Sequence, residues 1–247
     1  NVEEGNKYYF RNISWVGNTK YDTTTLNRVL GINKGDVYNK ELLQTNLTYN
    51  EGGFDITSLY QDDGHLFFHV DPVEVRVEND SIDLEIRMYE GDQATIGKVS
   101  VKGNTKTNDH VVIREMYTKP GQLFSRSDVI RTTRELAALG YFNAETLNPN
   151  IQPDPTDGTV DIEYIVEETS SDQIELSAGW GYNKLILTLG LTLNNFSFKN
   201  MFKKSAWTPL PGGDGQKLSF RVQTYGTTYL YYGASFTEPW LGGKKPN

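Results

Sequence analysis

The sequence contains no cysteine and only three histidines among its 247 residues. The lack of cysteine excludes disulfide bonds and thiolate metal sites, although it does not identify a compartment. No apolar run reaches the roughly 18 residues that a membrane-spanning helix needs; the longest candidate is the threonine-interrupted stretch Leu185–Leu193. The first residues, NVEEGNKYYF, lack the basic and apolar regions of a signal peptide. The chain is therefore interpreted as cytosolic, or as a mature or excised piece.

Positive charge is scarce in the first two thirds of the chain. Residues 1–172 carry 16 basic and 29 acidic side chains, whereas residues 173–247 carry 8 basic and 3 acidic ones. Phe, Trp and Tyr account for 13 of the last 75 residues but only 17 of the first 172. The excess of acidic residues in 1–172 disfavours nucleic-acid binding, because the phosphate backbone is itself negatively charged. The change in composition predicts a domain boundary near residue 173.

The tetrapeptide GNTK occurs twice, at Gly17–Lys20 and Gly103–Lys106. A shift of 86 residues also aligns the flanking segments, ISWVGNTKYDTTTLNRVLGINKGDVYN with VSVKGNTKTNDHVVIREMYTKPGQLFS. The shift then falls to about 76, because the first copy holds an extra segment, Thr45–Phe54. This extended match predicts a duplicated domain.

Each copy reads as strand, helix, helix, strand, strand. Asn39 and Ser125 are suited to cap a helix in each copy, and Gly64 and Gly140 are suited to end the second helix. Each copy closes with an alternating strand, and these two strands are Ile82–Glu90 and Val160–Glu168. The predicted architecture is α+β, with two helices covering one face of a three-stranded sheet.

The last quarter consists of four strands that alternate in polarity. Apolar residues on one face of each strand are Ile174, Leu176, Ala178, Trp180 and Tyr182; Leu185, Leu187, Leu189, Leu191 and Leu193; Leu218, Phe220 and Val222; and Leu230, Tyr232, Ala234 and Phe236. Strands of about ten residues with this pattern are typical of a lipid-facing β-barrel. The alternative is a soluble antiparallel sandwich. Four strands cannot close a membrane barrel, so the barrel interpretation requires further strands.

The tandem GNTK copies with GYF and VDIEYIVEE, followed by IELSAGWGYNKLILTLGLTLNNFSFKN and SFTEPWLGG, resemble the BamA-type outer-membrane protein insertases. The resemblance implies α+β tandem POTRA domains (β-α-α-β-β) followed by the first antiparallel strands of a transmembrane β-barrel. The implied domains are a penultimate POTRA domain at 1–91, the last POTRA domain at 92–172 and a truncated barrel at 173–247. The insertion at Thr45–Phe54 and the absence of the family's barrel-lumen loop motif depart from the family pattern.

The mechanism implied by the resemblance depends on exposed strand edges, which can pair with an unfolded client strand without reading its side chains. The predicted templating edge lies in the first barrel strand, at Ile174, Glu175, Leu176, Ser177, Ala178, Gly179 and Trp180. A POTRA edge strand is predicted at Leu66, Phe67, Phe68, His69 and Val70, and a second at Asn143–Gln152. Two interpretations of Gly179 and Gly181 stay open: they weaken strand order, or they relieve crowding inside the barrel.

The sequence gives little support for a metal site, a phosphate-binding loop or an acid–base pair. His65 and His69 have no third ligand nearby and are interpreted as surface or edge histidines. Gly212–Lys217, GGDGQK, lacks the pattern of a phosphate loop and reads as a flexible turn. Glu167 and Glu168 are expected to point to opposite faces of a strand. We expect no enzymatic activity, no metal and no cofactor.

The resemblance therefore implies an assembly factor that folds and inserts β-barrel proteins into the outer membrane of a Gram-negative bacterium, with its POTRA domains in the periplasm. Expected partners are unfolded outer-membrane β-barrel clients, periplasmic accessory lipoproteins of the assembly complex and outer-membrane lipid, with no nucleic acid. One alternative is a TamA-like or two-partner-secretion transporter. Another is a soluble adhesive or scaffolding protein, which would shield the leucines of the 185–193 stretch beneath a second layer of sheet.

Overall fold

The computed structural model of the chain describes residues 7–50, 52–154, 156–181, 183–204, 207 and 210–243. The chain divides into two compact units. The first combines Asn1–Val99, Tyr117–Arg131 and Ile151–Ile162, and the second combines Ser100–Met116, Thr132–Asn150 and Glu163–Asn247. Across the described residues, helices are too short or too polar to cross a bilayer.

The first repeat forms a three-stranded sheet with three helices. Its elements are β1 (Tyr9–Val16), α1 (Thr23–Leu30), α2 (Lys40–Thr48), α3 (Ile56–Gln61), β2 (His69–Glu78) and β3 (Ser81–Tyr89). The central strand β3 runs parallel to β1 and antiparallel to β2. The strand β3 alternates as predicted, and its residues Ile82, Leu84, Ile86 and Met88 are buried.

The expectation of only two helices in the first repeat is wrong, because its second helix is divided in two. Within the extra segment predicted at Thr45–Phe54, α2 ends and the chain turns before α3 begins. The buried carboxylate of Asp55 fixes this turn, since it accepts hydrogen bonds from the backbone N–H of Asn50 at 3.0 Å and of Ser58 at 2.8 Å. A new N-cap directly after the insertion therefore starts a separate helix.

The second repeat has the predicted order of elements. These are β4 (Thr95–Lys102), α4 (Asp109–Ile113), α5 (Arg126–Ala138), β5 (Asn148–Asp154) and β6 (Thr159–Ile165), with sheet order β4-β6-β5. The copies also agree in single hydrogen bonds: Gly35 donates to the carbonyl of Phe10, and Gly121 donates to that of Ile96, both at 2.7 Å. This agreement confirms the duplication.

A four-stranded antiparallel sheet follows the repeats. Its strands are β7 (Gln173–Gly181), β8 (Lys184–Phe196), β9 (Gln216–Tyr225) and β10 (Tyr229–Thr237), in the order β10-β9-β8-β7. The β9 and β10 strands are joined by a tight turn, whereas the longer connection between β8 and β9 contains a short 3-10 turn at Asn200–Phe202. Each strand pairs with its sequence neighbour, as in the meander of an up-and-down β structure.

Candidate functional site

Strand β7 is an edge strand, because among the described residues it pairs with β8 alone. All seven residues predicted to form the templating edge lie in β7 and are exposed. The exposed fractions are 78% for Ile174, 83% for Leu176 and 75% for Trp180. Tyr182, which the sequence placed at the end of this strand, lies outside the described residues. The outer edge of β7 thus presents backbone donors and acceptors to a further strand.

The apolar residues of the four strands form one continuous face. Leu176 lies opposite Leu189, which lies opposite Val222 and then Tyr232. A neighbouring row runs through Ile174, Leu191, Phe220 and Ala234. This register confirms the predicted alternation. Leu189 is 54% exposed and Tyr232 is 77% exposed, so the described residues of this unit leave the face uncovered.

The opposite face ties the edge strand to the interior of the sheet. Arg221 on β9 reaches across β8 to Glu175 on β7, with its guanidinium nitrogen 2.5 Å from the carboxylate. Gly190 lies between them, and a Cβ there would come within 3.1 Å of the Glu175 side chain. The glycine therefore makes room for the ion pair. Because both charged side chains are about half exposed, the pair stabilises by no more than about 1 kcal/mol.

The two glycines of β7 differ in their surroundings. A Cβ added to Gly179 would meet no atom of the described residues within 4 Å. A Cβ on Gly181 would lie 3.0 Å from the flexible end of Ile186. Crowding by the described residues thus accounts for Gly181 only in part and for Gly179 not at all. Weaker strand order at Gly179 stays a prediction.

The predicted POTRA edge strand at Leu66–Val70 is placed too early in the chain. Only His69 and Val70 belong to β2, the edge strand of the first repeat, while Leu66 and Phe67 lie in a turn. Phe68 is buried, and its ring stacks on Tyr60 with centroids 4.2 Å apart. Residues 66–68 therefore do not form an edge, and Phe68 is held by the core.

The edges of both repeats lie further along the chain. In the first repeat the edge runs along β2, where Val75 is 50% exposed and Val77 is 54% exposed. In the second repeat it runs along β5, which covers the later part of the predicted Asn143–Gln152. Pro72, Pro149 and Pro153 all lie in these two edge strands, where proline is tolerated because an edge residue can lack a ladder hydrogen bond.

The GNTK copies are explained by two carboxylate-binding loops. In the first repeat Glu90 accepts hydrogen bonds from the backbone N–H of Thr19 at 2.8 Å and of Lys20 at 2.9 Å, and from the hydroxyl of Thr19. In the second repeat Glu168 accepts from the hydroxyl of Thr105 at 2.7 Å and from the N–H of Lys106 at 2.8 Å. Each glutamate follows the last strand of its repeat and fastens the loop to it.

Glycine starts each of these loops because the backbone passes close to a strand. Gly17 has a φ of +92°, and a Cβ there would lie 2.2 Å from the carbonyl oxygen of Met88. Gly103 has a φ of +103°, and its Cβ would lie 1.9 Å from the carbonyl oxygen of Val166. Both the left-handed conformation and the close approach exclude other side chains.

Both loop-binding glutamates have lowered pKa values. Desolvation alone would raise the pKa of Glu90. The hydrogen bonds from Lys20 and Thr19 outweigh this effect and lower the pKa to about 2. In the same way desolvation of Glu168 is outweighed by hydrogen bonds from Thr105, Thr107 and Lys106, which lower the pKa of this carboxyl below its ordinary value. Both loops therefore bind the ionised form of the glutamate.

The second loop continues into a junction with the four-stranded sheet. The buried carboxylate of Asp214 accepts hydrogen bonds from the side-chain amide of Asn108 at 2.8 Å and from the hydroxyl of Ser197 at 2.5 Å. The amide of Asn195 donates to the hydroxyl of Thr107 at 2.8 Å. The GGDGQK segment was expected to be a flexible turn, and this expectation is wrong. Its residues 213–216 are buried against the second repeat.

The TEPW segment, Thr237–Trp240, reaches the same repeat. The indole N–H of Trp240 donates to the carboxylate of Glu115 at 2.6 Å, and the guanidinium of Arg114 lies 5.5 Å from the centre of its ring. Asp214 and Trp240 thus anchor the sheet to the second repeat at two separate points within the second unit.

The two histidines of the first repeat, His65 and His69, lie in different surroundings. His65 is buried in a turn, with its Nδ1 atom 3.0 Å from the carbonyl oxygen of Gly91, whereas His69 is exposed at the start of β2. The interpretation of both as surface or edge histidines is therefore wrong for His65. Among the described residues, no group of three or more His, Cys, Asp or Glu side chains is arranged to hold a metal ion.

Sequence reasoning missed Glu90, Glu168 and Asp214. The two glutamates carried a usable signal, because each follows an alternating strand at an equivalent place in a repeat that begins with the same tetrapeptide. Asp214 lies among glycines, and that context predicts a turn as readily as a docked loop.

Comparison with known proteins identifies the repeats. The family model POTRA, described as a surface antigen variable number repeat, matches residues 8–91 and 94–169. The chain is 27% identical over 208 residues to the outer membrane protein assembly factor BamA of Neorickettsia risticii (strain Illinois), covering 83% of this chain and 26% of that protein. It is 25% identical over 249 residues to the protein of the same name from Neisseria meningitidis serogroup B (strain ATCC BAA-335 / MC58), covering 97% of this chain and 28% of that protein.

The fold also matches a solved structure. The crystal structure of BamA from Haemophilus ducreyi lacking POTRA domains 1-3 aligns with a TM-score of 0.76 and 23% identity, over 96% of this chain and 41% of that chain. The chain spans about a quarter of the length of the two curated relatives. The match covers the four-stranded sheet as well as both repeats.

Proposed function

This chain belongs to the POTRA family, and we propose that it is a segment of an outer-membrane protein assembly factor of the BamA type. In this proposal residues 1–91 and 92–172 are the penultimate and last POTRA domains, and residues 173–247 are the first strands of a transmembrane β-barrel. The names of the relatives and the fold of the Haemophilus ducreyi structure support the assignment.

The observation that carries the proposal is the exposed edge of β7. An unfolded barrel strand entering lipid has backbone donors and acceptors that are costly to leave unpaired. The β7 edge pairs with such a strand through backbone hydrogen bonds, which do not depend on the sequence of the client. Pairing by the backbone alone allows one assembly factor to serve many clients.

The continuous apolar face supports placement of the sheet in lipid. Leu176, Leu189 and Tyr232 share this face, and all three are more than half exposed. Burial of apolar area in hydrocarbon stabilises the sheet by roughly 25 cal/mol per Å². The soluble-sandwich alternative expects these leucines beneath a second layer, and the described residues of the unit provide none.

The POTRA edges supply a second place for pairing. The strand β2 presents Val75 and Val77 at the edge of the first repeat. We place this edge in the periplasm, where it pairs with extended segments of clients or of accessory lipoproteins. The outer membrane of a Gram-negative bacterium is then the location of the sheet. Strand pairing requires no catalytic residue and no cofactor.

Site-specific crosslinking tests the proposed templating edge. Because this sequence has no cysteine, single cysteines at Ser177 and Gly179 on β7 can be used to trap a β-barrel client during its assembly. We expect both variants to form a crosslink with the client. The matched control is Ser219→Cys, because Ser219 lies on the same face of the sheet but on the interior strand β9.

Equal trapping at Ser219 would show that the crosslink reports proximity and not edge pairing. Trapping confined to cysteines in the POTRA domains would overturn the templating role of β7. The edge of the first repeat has its own test, in which Val75→Lys and Val77→Lys place charges on β2. We expect severalfold weaker capture of an extended client peptide, with Leu42→Lys on the exposed face of α2 as the control.

A further inference from the structure

The connection between β8 and β9 carries three lysines, and its acidic residue, Asp214, is buried in the junction with the second repeat. Residues 195–213 contain Lys199, Lys203 and Lys204 and no Asp or Glu. All three lysines are exposed, and in the described part of the chain none of them is joined to a carboxylate by an ion pair. The exposed charge of this segment is therefore positive, in contrast to the acidic repeats.

Exposed aromatic rings accompany these lysines. Phe198, Phe202 and Trp207 are 51%, 76% and 46% exposed. The rings of Phe198 and Phe202 meet edge to face with centroids 5.8 Å apart, and Phe198 lies 6.5 Å from Phe236. Because Phe236 is on the apolar face of β10, the aromatic rings extend that face beyond the end of the strands.

Hydrogen bonds to residues 212–216 hold the start of this segment, residues 197–200, in place. Asn200 donates its side-chain amide to the carbonyl of Gly212 at 2.9 Å, and its N–H to the hydroxyl of Ser197 at 3.1 Å. The N–H of Phe198 donates to the side-chain carbonyl of Gln216 at 2.7 Å. Ser197 in turn donates to Asp214, where the sheet meets the second repeat. The exposed ring of Phe198 and the neighbouring Lys199 are thus carried by a hydrogen-bonded turn at the POTRA end of the sheet.

We propose that residues 198–204 together with Trp207 form a membrane-interface anchor that binds the phosphate headgroups of anionic phospholipids in the leaflet facing the POTRA domains. The inference rests on the proposed function, which puts the adjoining apolar face in lipid. A bilayer surface has an apolar layer beneath a layer of charged headgroups. The aromatic rings match the boundary of the apolar layer, and the lysines beside them match the anionic headgroups. A protein partner is less well matched, since the rings continue directly into the lipid-facing surface.

The anchor fixes the depth at which the sheet enters the bilayer. It is part of the loop that docks on the second repeat, so that the last POTRA domain is kept close to the membrane surface. A juxtamembrane lysine contributes about 1 kcal/mol on anionic membranes, which is about fivefold in binding.

Vesicle flotation tests the anchor with the purified protein diluted from detergent. Phosphatidylcholine vesicles are compared with vesicles that also contain phosphatidylglycerol. The variant is K199Q/K203Q/K204Q, and the matched control is K98Q/K102Q/K119Q, which removes three exposed lysines from the second repeat. We expect the unaltered protein and the control to prefer anionic vesicles by at least about tenfold, and the variant to lose most of that preference.

The Phe202→Gln variant tests the aromatic part of the anchor separately from the lysines. It is expected to weaken binding to both kinds of vesicle severalfold, because the ring inserts into neutral and anionic bilayers alike. Equal binding of the unaltered protein to neutral and anionic vesicles, or an unchanged preference in the lysine variant, would overturn the anchor while leaving the proposed function intact. Absence of binding to either vesicle would overturn both. Loss of client crosslinking in detergent by the lysine variant would assign the lysines to the client and not to lipid.

Discussion

The side-chain amide of Asn108 donates a 2.8 Å hydrogen bond to the carboxylate of Asp214, although 106 residues separate them in the sequence. This bond joins the loop after the second GNTK copy to the loop between β8 and β9. Glu168 fastens the first of these loops to the last strand of its repeat. The duplicated tetrapeptide therefore acts in the second copy as part of the joint that holds the sheet.

Substitution Asp214→Ala is expected to loosen this joint. The change leaves the buried hydroxyl of Ser197 without its acceptor, at a cost of about 1–3 kcal/mol. It also removes the hydrogen bond from the exposed amide of Asn108. We expect faster hydrogen exchange in residues 212–216, measured by mass spectrometry. Asp157→Ala, at an exposed position, is the control. Unchanged exchange in the Asp214 variant would mean that this carboxylate does not hold the loop.

Substitution Glu90→Gln is expected to change how the stability of the first repeat depends on pH. The folded-state pKa of about 2 lies below the ordinary value of 4.5, so ionised Glu90 stabilises the fold above pH 4.5. This stabilisation is lost as the pH falls from 4.5 towards about 2. Because solvent screens a half-buried group, we expect a contribution of about 1–2 kcal/mol at neutral pH.

Urea unfolding at pH 7 and again near pH 3 measures this effect. Hydrogen exchange is used to monitor the unfolding of the first repeat. The Gln variant should be less stable at pH 7 and should show a smaller loss on acidification. Glu145→Gln, at an exposed position of the second repeat, serves as the control. An equal loss on acidification in the Gln variant and the unaltered protein would contradict the role of Glu90.

Paired glycine substitutions separate backbone strain from close approach. Gly17 and Gly35 both have a φ of +92°, but a Cβ at Gly35 would meet nothing within 4 Å. We expect Gly35→Ala to cost about 1–2 kcal/mol through its left-handed conformation alone. Gly17→Ala should cost about 1–3 kcal/mol more, because the strand carrying Met88 must move. Denaturant unfolding measures both, and equal costs would show that the close approach is unimportant.

Local patterns predicted the sheets well. The alternation in β3 and in the four last strands follows from a two-residue period, and Leu176, Leu189 and Val222 lie on one face as expected. The caps at Asn39 and Ser125 depend on residues three positions away, and both form their hydrogen bonds. Such features depend on neighbours in the sequence and can therefore be predicted from it.

Features that depend on distant residues were missed. The burial of Phe68 follows from its stacking on Tyr60 in α3, and apolar composition alone suggested a strand there. Asp214 is ordered by Asn108, a partner that local sequence does not indicate. The division of the second helix depended on Asp55 acting as a cap directly after an insertion that has no counterpart in the second repeat.

A register scan tests most directly whether β7 templates a client strand. Single cysteines at Glu175, Ser177 and Gly179 are combined with a series of single cysteines along the terminal strand of a β-barrel client, and disulfide formation during assembly is measured. If β7 pairs with that strand, each β7 position crosslinks to one main client position, and a step of two residues on β7 moves the partner by two residues. Crosslinks scattered over the client strand, or equally frequent at interior positions of β9, would contradict the account.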